Sequence, residues 1–199
     1  MKKSMPIVLV FAALCMLVVP FAHAEAPAWT VDKIHSGVHF DIQHIYATVR
    51  GSFDEFDALI RFDPANLGES RFDFTVAVKS VNTQNDKRDQ HLMSSDFFDE
   101  GNYSKMAFKS SAIRHLEGDS YTVTGTMTIK DVSQNVTVPF TYFGSKPNPF
   151  DPKQFVAGFE AGLTIDRLSY HVGNGKFFKM GVVGKDVTVL ITIEAIRDK

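Results

Sequence analysis

The sequence predicts an all-β protein built from antiparallel strands. Apolar and polar residues alternate with a period of two over several segments of about ten residues. Gly, Pro and Asp residues typical of turns separate these segments, and few helical patterns are available to connect parallel strands. One apolar face per strand favours a closed barrel or a sandwich, and periodicity alone leaves both open.

About eight strands are predicted, and each is justified by its own alternation. A closed barrel of eight strands has an interior that can hold one small ligand. Turn signals fall at 63–64, 68, 117–119 and 146–149. In chain order the alternating segments are 38–42, 49–62, 71–79, 105–114, 121–129, 136–142, 155–165 and 187–193, of which 49–62 and 105–114 are weaker.

The first 24 residues have the pattern of a cleaved secretory signal. Lys2 and Lys3 precede an apolar run that ends near Phe21, and Ala22-His23-Ala24 follows as a small-residue cleavage site. The run is short for a spanning helix, which needs about 20 apolar residues. We therefore expect a signal at 1–24, one domain at 25–199, and a periplasmic or secreted protein.

Composition excludes several classes of protein. Cys15 is the only Cys, so the mature chain has no disulfide, thiolate chemistry or Cys-ligated metal. Without Lys2 and Lys3, 19 basic residues oppose 23 acidic ones with no basic patch, which argues against nucleic-acid binding. The 18 Phe residues indicate a large core or an apolar cavity.

Histidines and carboxylates give no strong sign of a metal or catalytic site. On a continuous strand His39 and His44 point to opposite faces, and His35 and His39 lie about 13 Å apart. Asp41 shares a face with His39, as a surface pair would. We expect solvated or structural histidines, no metal site and no catalytic residues.

The Gly-rich segment 173–181 is not a nucleotide-binding loop. Phe178 stands where a dinucleotide fingerprint needs its third Gly, and the spacing of a phosphate-binding loop is also broken. The segment is either a flexible hairpin or a mouth loop whose exposed Phe pair, with Lys176 and Lys179, meets an apolar ligand with a polar head. Nearby, Arg167 is expected in a structural ion pair or as a loop anchor.

The charged stretch 84–98 predicts a short surface helix that covers a barrel end. Thr83 is expected to cap it, with Asp86 completing a capping box. Its few apolar residues suit a docked edge better than a buried face. Those expected to pin it to the barrel are Leu92, Met93, Phe97 and Phe98.

Several motifs together resemble the YceI-like family, also called the polyisoprenoid-binding family of exported proteins. The resemblance covers nearly all of 28–196, and its most specific part is 80–98. The stretches that carry it are W-T-V-D-x-x-H-S-x-V-x-F at 29–40, G-S-F-x-x-F at 51–56, S-V-N-T-x-N-x-x-R-D-x-H-L-x-S-x-D-F-F at 80–98, G-T-M-T-I at 125–129 and V-x-V-x-I-x-I-E-A at 187–195.

The resemblance implies an extended eight-stranded antiparallel barrel, similar to lipocalins, with one or two short capping helices. Its elongated apolar cavity would accept a long isoprenoid, quinone-like or fatty chain, with no established catalytic residues. The Arg88-Asp89 pair carries over as a signature with a structural role. The chain departs from the family at 103–105, which lacks a Pro, and at Lys130-Asp131, where a His-Gly turn is common.

The strand alternation and the resemblance together predict the binding residues. No cofactor is expected besides the bound lipid, and no nucleic-acid partner. A transient contact with a membrane or membrane protein and a homodimer are both open. The predicted tunnel lining is Phe40, Ile42, Phe74, Val76, Val123, Met127, Val138, Phe140, Phe159, Leu163 and Ile165, and the predicted mouth or lid residues are Phe97, Phe98, Phe177 and Phe178.

The leading interpretation is an exported protein that holds a long isoprenoid-type or fatty chain in its barrel for transport, storage or sequestration. Two alternatives to it are kept open. One is an isomerase-type enzyme on a barrel that acts on a lipophilic substrate through His39, Asp41 or His44. Polar residues converging inside the cavity would favour it. The other is a non-catalytic stress or interaction protein whose core is filled, so that a larger residue at Phe140 would only destabilise it.

Overall fold

The computed structural model describes residues 25–199, in which 11 strands form one antiparallel sheet. The predicted signal at 1–24 lies outside the described residues. The strands are β1 (Ala28–Val31), β2 (Gly37–His44), β3 (Ala47–Phe53), β4 (Phe56–Arg61), β5 (Arg71–Ala77), β6 (Val81–Asn82), β7 (Lys105–Glu117), β8 (Ser120–Ile129), β9 (Val132–Pro147), β10 (Gln154–Asp166) and β11 (Val183–Asp198).

The sheet closes into an eight-stranded barrel because β11 pairs with both halves of the first strand. Thr30 of β1 pairs with Ile196, and Gly37 of β2 pairs with Thr192 further along β11. Strands β1 and β2 therefore act as one interrupted strand. Strands β3 with β4, and β5 with β6, are interrupted in the same way. The predicted all-β antiparallel barrel is confirmed.

The connections between strands fall into two groups, one at each end of the barrel, which we call the upper and the lower end. At the upper end lie the β2–β3 turn, the β6–β7 connection, the β8–β9 turn and the β10–β11 connection. At the lower end lie the β4–β5, β7–β8 and β9–β10 connections and both ends of the described chain.

Two short helices lie at the upper end. Helix α1 (Asp86–Met93) is in the β6–β7 connection, and α2 (Lys176–Lys179) is in the β10–β11 connection. The predicted cap of α1 is wrong by two residues, since Asn85 is the N-cap and accepts a 3.0 Å hydrogen bond from the Arg88 backbone N–H. Thr83 is instead bound by side chains from within the helix, which the capping pattern does not reveal.

Short 3₁₀ segments complete the connections, at Leu67–Glu69, Val78–Ser80 and Arg167–Tyr170. Among residues 25–199, no helix is long and apolar enough to cross a membrane.

Candidate binding cavity

The barrel encloses an apolar cavity that opens toward the upper end. Its main chamber measures about 380 Å³, within the usual range for ligand sites. A deeper chamber of about 90 Å³ continues toward the lower end. The residues that border both chambers are Phe74, Phe108, Met127, Leu163 and Ile191.

Residual exposure shows where the barrel interior is hollow. On the inward face of the upper half, Phe40, Phe74 and Leu163 are only partly buried, and all three border the main chamber. On the same face of the lower half, Phe72 and Phe159 are buried to 6 % exposure. The apolar alternation continues along the whole length of the strands. The inward side chains nevertheless pack together only in the lower half of the barrel, and in the upper half they leave a space between them.

A cluster of aromatic rings forms the floor of the cavity. Phe62, from the β4–β5 connection, is 1 % exposed and its carbonyl accepts a hydrogen bond from the Trp29 indole. Its ring centroid lies 4.9 to 6.0 Å from five others, mostly edge to face, an arrangement that aromatic pairs favour. Those rings are Phe72, Tyr121, Phe140, Tyr142 and Phe159.

Three rings form a lid over the upper end. Phe97 and Phe177 stack with centroids 5.9 Å apart and an interplanar angle of 6°. His91 of α1 meets both edge-on, at 5.1 and 6.0 Å. The lid thus joins the β6–β7 and β10–β11 connections, and all three of its residues border the main chamber.

Thr83 ties α1 to the end of β6. Arg88 donates from Nε to the Thr83 hydroxyl at 2.6 Å and from Nη2 to the Thr83 carbonyl at 2.7 Å. Asp89 accepts from the Thr83 backbone N–H and hydroxyl. Arg88 and Asp89 therefore brace Thr83, which is 4 % exposed, and Thr83 and Arg88 both border the chamber.

Arg167 is a buried cation at the upper end of the cavity. It is 5 % exposed and donates to the carbonyls of Gly184, Val172 and Val183 at 2.8, 2.6 and 3.5 Å. Burial lowers the pKa of its guanidinium below the ordinary value. Of the two expected roles, the loop anchor is the one found, since the carboxylate of neighbouring Asp166 binds Lys185 at 2.9 Å.

The position of Arg167 follows from an irregularity in the sheet. Between Val183 and Val187 the register of β11 against β2 shifts, which leaves carbonyls without ladder partners, and the guanidinium binds two carbonyls there. Gly173 permits the approach, because a Cβ there would lie 2.4 Å from Nη1 of Arg167, and its φ of +91° suits Gly.

Fourteen of the 15 predicted binding residues border the two chambers. Ten border the main chamber: Phe40, Ile42, Phe74, Val76, Phe97, Phe98, Met127, Leu163, Ile165 and Phe177. Four border only the deeper one: Val123, Val138, Phe140 and Phe159. Phe178 borders neither chamber and is 43 % exposed. Of the two neighbouring Phe residues, only Phe177 therefore lies at the cavity.

Sequence reasoning did not identify several residues that border the chamber. They come from strands whose inward face was not enumerated and from connections whose fold is set by tertiary contacts. A continued period-two count along β3, β7 and β11 would have found the strand residues. Those missed are Val38, Val49, Phe53, Thr83, Arg88, His91, Leu92, Met106, Ala107, Phe108, Ile129, Arg167, Tyr170, Val172, Val182, Val183, Val187, Val189 and Ile191.

The polar groups of β2 do not converge inside the barrel. Asp41 is bound by Arg50 through two hydrogen bonds of 2.8 Å, which lower the pKa of its carboxyl. His39 and His44 border the chamber but are exposed, and His44 lies at the upper end of its strand.

A separate polar group joins the β1–β2 loop to β11. Donor atoms of Asp32, His35 and Glu194 lie within 4.8 Å of one another. Asp32 already accepts a 2.8 Å hydrogen bond from His35 and another from the Ile34 backbone N–H. The hydrogen bond raises the pKa of His35 and lowers that of Asp32. Local spacing did not predict this group because Glu194 belongs to a distant strand.

The closed barrel, the aromatic floor and the apolar chamber define a class of protein, the antiparallel β-barrels that have an internal apolar cavity open at one end. Residues 29–195 match the YceI-like domain, and the chain belongs to that family. It is 31% identical over 202 residues to Protein YceI of Escherichia coli O6:H1, spanning the whole of both chains. Protein YceI of Salmonella arizonae is 29% identical over the same span.

Solved structures share the fold. BcnA of Burkholderia cenocepacia superposes with a TM-score of 0.74 at 28% identity, over 84% of this chain and 99% of that one. The YCEI protein of Campylobacter jejuni gives 0.68 at 29% identity, over 85% and 98%. A polyisoprenoid binding domain from Saccharophagus degradans gives 0.62 at 15% identity, over 84% and 97%.

Proposed function

We propose that the protein is an exported carrier that holds the long apolar chain of an isoprenoid-type lipid inside its barrel. The observation that carries the proposal is the apolar cavity, whose two chambers adjoin and share five lining residues. Membership of the YceI-like family supports it, as does the fold shared with a protein described as polyisoprenoid-binding. The amino-terminal pattern at 1–24 supports a periplasmic or secreted location.

The apolar walls supply the affinity in this proposal. Burial contributes about 0.8 kcal/mol per CH₂ group, so a chain of about 20 buried carbons gives on the order of 15 kcal/mol before the costs of binding. Non-covalent affinity saturates near −18 to −21 kcal/mol. A polar anchor is therefore not required, and we expect weak selectivity for the head group and clear selectivity for chain length.

In this proposal the polar head group of the lipid lies at the upper end of the barrel. The charged side chains that border the main chamber are Arg88, which is exposed, and Arg167, and both are close to the lid. These cations would donate hydrogen bonds to the oxygen of a hydroxyl, carbonyl or anionic head. The lower end is closed by the aromatic floor, so the chain enters first and the head remains at the mouth.

A carrier fits the site better than the isomerase alternative. General acid-base catalysis needs a proton donor or acceptor within hydrogen-bonding reach of a reacting atom. The walls are apolar, Asp41 is bound by Arg50, and the polar groups gather at the mouth. The cavity also argues against the alternative of a filled core.

Native mass spectrometry of gently purified protein tests the proposal. We expect a mass above that of the mature chain, and organic extraction followed by lipid analysis should release a polyprenyl or quinone-type lipid. Stripped protein should take up such a lipid in a one-to-one complex. A protein that is isolated empty and takes up neither lipid class would refute the carrier function.

A further inference from the structure

Part of the upper rim exposes large apolar side chains to solvent. Tyr46 in the β2–β3 turn is 98 % exposed and Ile45 beside it 51 %. In the β10–β11 connection Met180 is 61 % exposed and Phe178 43 %. Contiguous apolar exposure of this kind marks interaction surfaces.

These four side chains belong to one surface, because a hydrogen bond joins the two connections. The Ile45 backbone N–H donates to the Val182 carbonyl at 2.9 Å. Ile45 has a φ of +51°, which is rare and strained for a β-branched residue. Such strain is kept where the surrounding structure imposes it, and such positions cluster at functional sites.

The charge of the rim is polarised. Segments 43–48 and 172–184 contain Lys176 and Lys179 and no carboxylate. The neighbouring segment 86–100, which contacts α2 through the lid, contains five acidic residues against two basic ones. The apolar side chains thus lie on the cationic side, which we call the docking rim and define as segments 43–48 and 172–184.

The docking rim adjoins the cavity through helix α2. Phe177 borders the main chamber, while Phe178, the next residue, is exposed. Exposed apolar side chains flanked by lysines are the combination that binds anionic lipid surfaces, where the apolar groups enter the interface and the cations attract the head groups. A surface that neighbours the cavity mouth suits exchange of a lipid that is insoluble in water.

We infer that the docking rim binds transiently to an anionic lipid surface and places the cavity mouth against it. This inference rests on the proposed carrier function for its purpose, but the binding itself does not require a bound lipid.

Vesicle flotation tests the inference. The full-length mature protein is mixed with vesicles of phosphatidylcholine, or of phosphatidylcholine and phosphatidylglycerol in equal parts. We expect binding to the anionic vesicles only, weakened by salt because it is electrostatic in part. The double variant Lys176→Glu/Lys179→Glu should bind at least about tenfold more weakly, since each Lys near an anionic surface contributes about fivefold in affinity.

Matched variants separate the docking rim from the rest of the surface. Tyr46→Ser/Met180→Ser removes exposed apolar groups and should also weaken binding about tenfold or more. Phe150→Ser, at the lower end and 96 % exposed, and Lys153→Glu, also exposed at the lower end, should bind like the wild type. Thermal unfolding checks that all variants fold.

The outcomes distinguish docking from the carrier function. Failure to bind anionic vesicles by a protein that carries lipid in native mass spectrometry overturns docking and leaves the carrier function standing. Binding that Phe150→Ser abolishes, or that the rim variants leave unchanged, also overturns it. Sedimentation velocity provides one more test. If the wild type self-associates and Tyr46→Ser/Met180→Ser does not, the docking rim binds a second copy of the chain, and the inference is overturned.

Discussion

The Nζ atom of Lys130 lies 2.8 Å from the carbonyl oxygen of Phe97, in the lid over the cavity. The same ammonium donates a second 2.8 Å hydrogen bond to the His171 carbonyl in the β10–β11 connection. Asp131 beside it accepts from the His171 ring at 3.1 Å. The β8–β9 turn therefore holds together the two connections that carry the lid.

Replacing Lys130 with Met should loosen the lid. The change keeps side-chain length and the backbone conformation at φ +54° but removes both hydrogen bonds, which should cost about 1–2 kcal/mol because the donor is charged and partly buried. We expect a lower urea midpoint and faster release of a fluorescent apolar ligand. The matched control is Lys153→Met at the lower end, which should stay within about 0.5 kcal/mol of the wild type. Equal stability and release in the two variants would contradict the role of Lys130.

Lys130 also shows what the sequence predicts and what it does not. Lys130-Asp131 stands out in the sequence as a departure from the usual family turn, which puts its geometry in question. The structure places Lys130 at a positive φ, as Gly would allow, and gives its side chain two partners. Those partners, Phe97 and His171, are 33 and 41 residues away, so no local pattern could name them.

The inward face of the barrel could be predicted because strand alternation is local. Phe40 and Ile42 follow from the period of two alone, and Phe97 from the apolar end of a charged helix. The position of Arg167 at the cavity could not be predicted, because its hydrogen-bond partners depend on a register shift in β11. The division of the interior into an aromatic floor and a hollow chamber also depends on which rings meet across strands.

Leu163 lies at the junction of the two chambers, so enlarging it should shorten the cavity. We expect Leu163→Trp to retain short-chain ligands and to lose affinity for long ones, each excluded CH₂ costing about 0.8 kcal/mol. Competitive binding of prenols of increasing length measures this effect. The control is Leu190→Trp, 41 % exposed on the neighbouring strand β11, which should leave the length profile unchanged. An unchanged profile in Leu163→Trp would place the chain elsewhere.

Phe62 is the centre of the floor, and its removal should be strongly destabilising. Truncation of a buried Phe to Ala costs about 3–5 kcal/mol through lost burial and the cavity left behind. We expect this loss for Phe62→Ala in equilibrium urea unfolding. Phe150→Ala at the same end, where the ring is 96 % exposed, should change stability by less than about 0.5 kcal/mol. A loss below about 1 kcal/mol for Phe62→Ala would show that the floor is not tightly packed.

The ion pair between Asp166 and Lys185 should make stability depend on pH. The hydrogen bond from Lys185 lowers the pKa of Asp166 from its ordinary 3.8, and the same contact raises the pKa of Lys185 from 10.5. A lowered carboxyl pKa adds stability above the ordinary value, and this stability is lost as the pH falls through the lowered one. A raised Lys pKa adds stability below its ordinary value and loses it as the pH rises through the raised one.

Lys185→Met removes the pair and tests the acid limit. Because both side chains are more than a third exposed, we expect only a small loss of stability at neutral pH, reduced further by salt. The difference from wild type should disappear below the lowered pKa of Asp166, as measured by urea unfolding across the acid range. Lys179, in the connection between β10 and β11, forms no ion pair within residues 25–199, so Lys179→Met should show no such pH dependence. A loss in Lys185→Met that persists unchanged at low pH would mean that packing, and not the charge pair, is responsible.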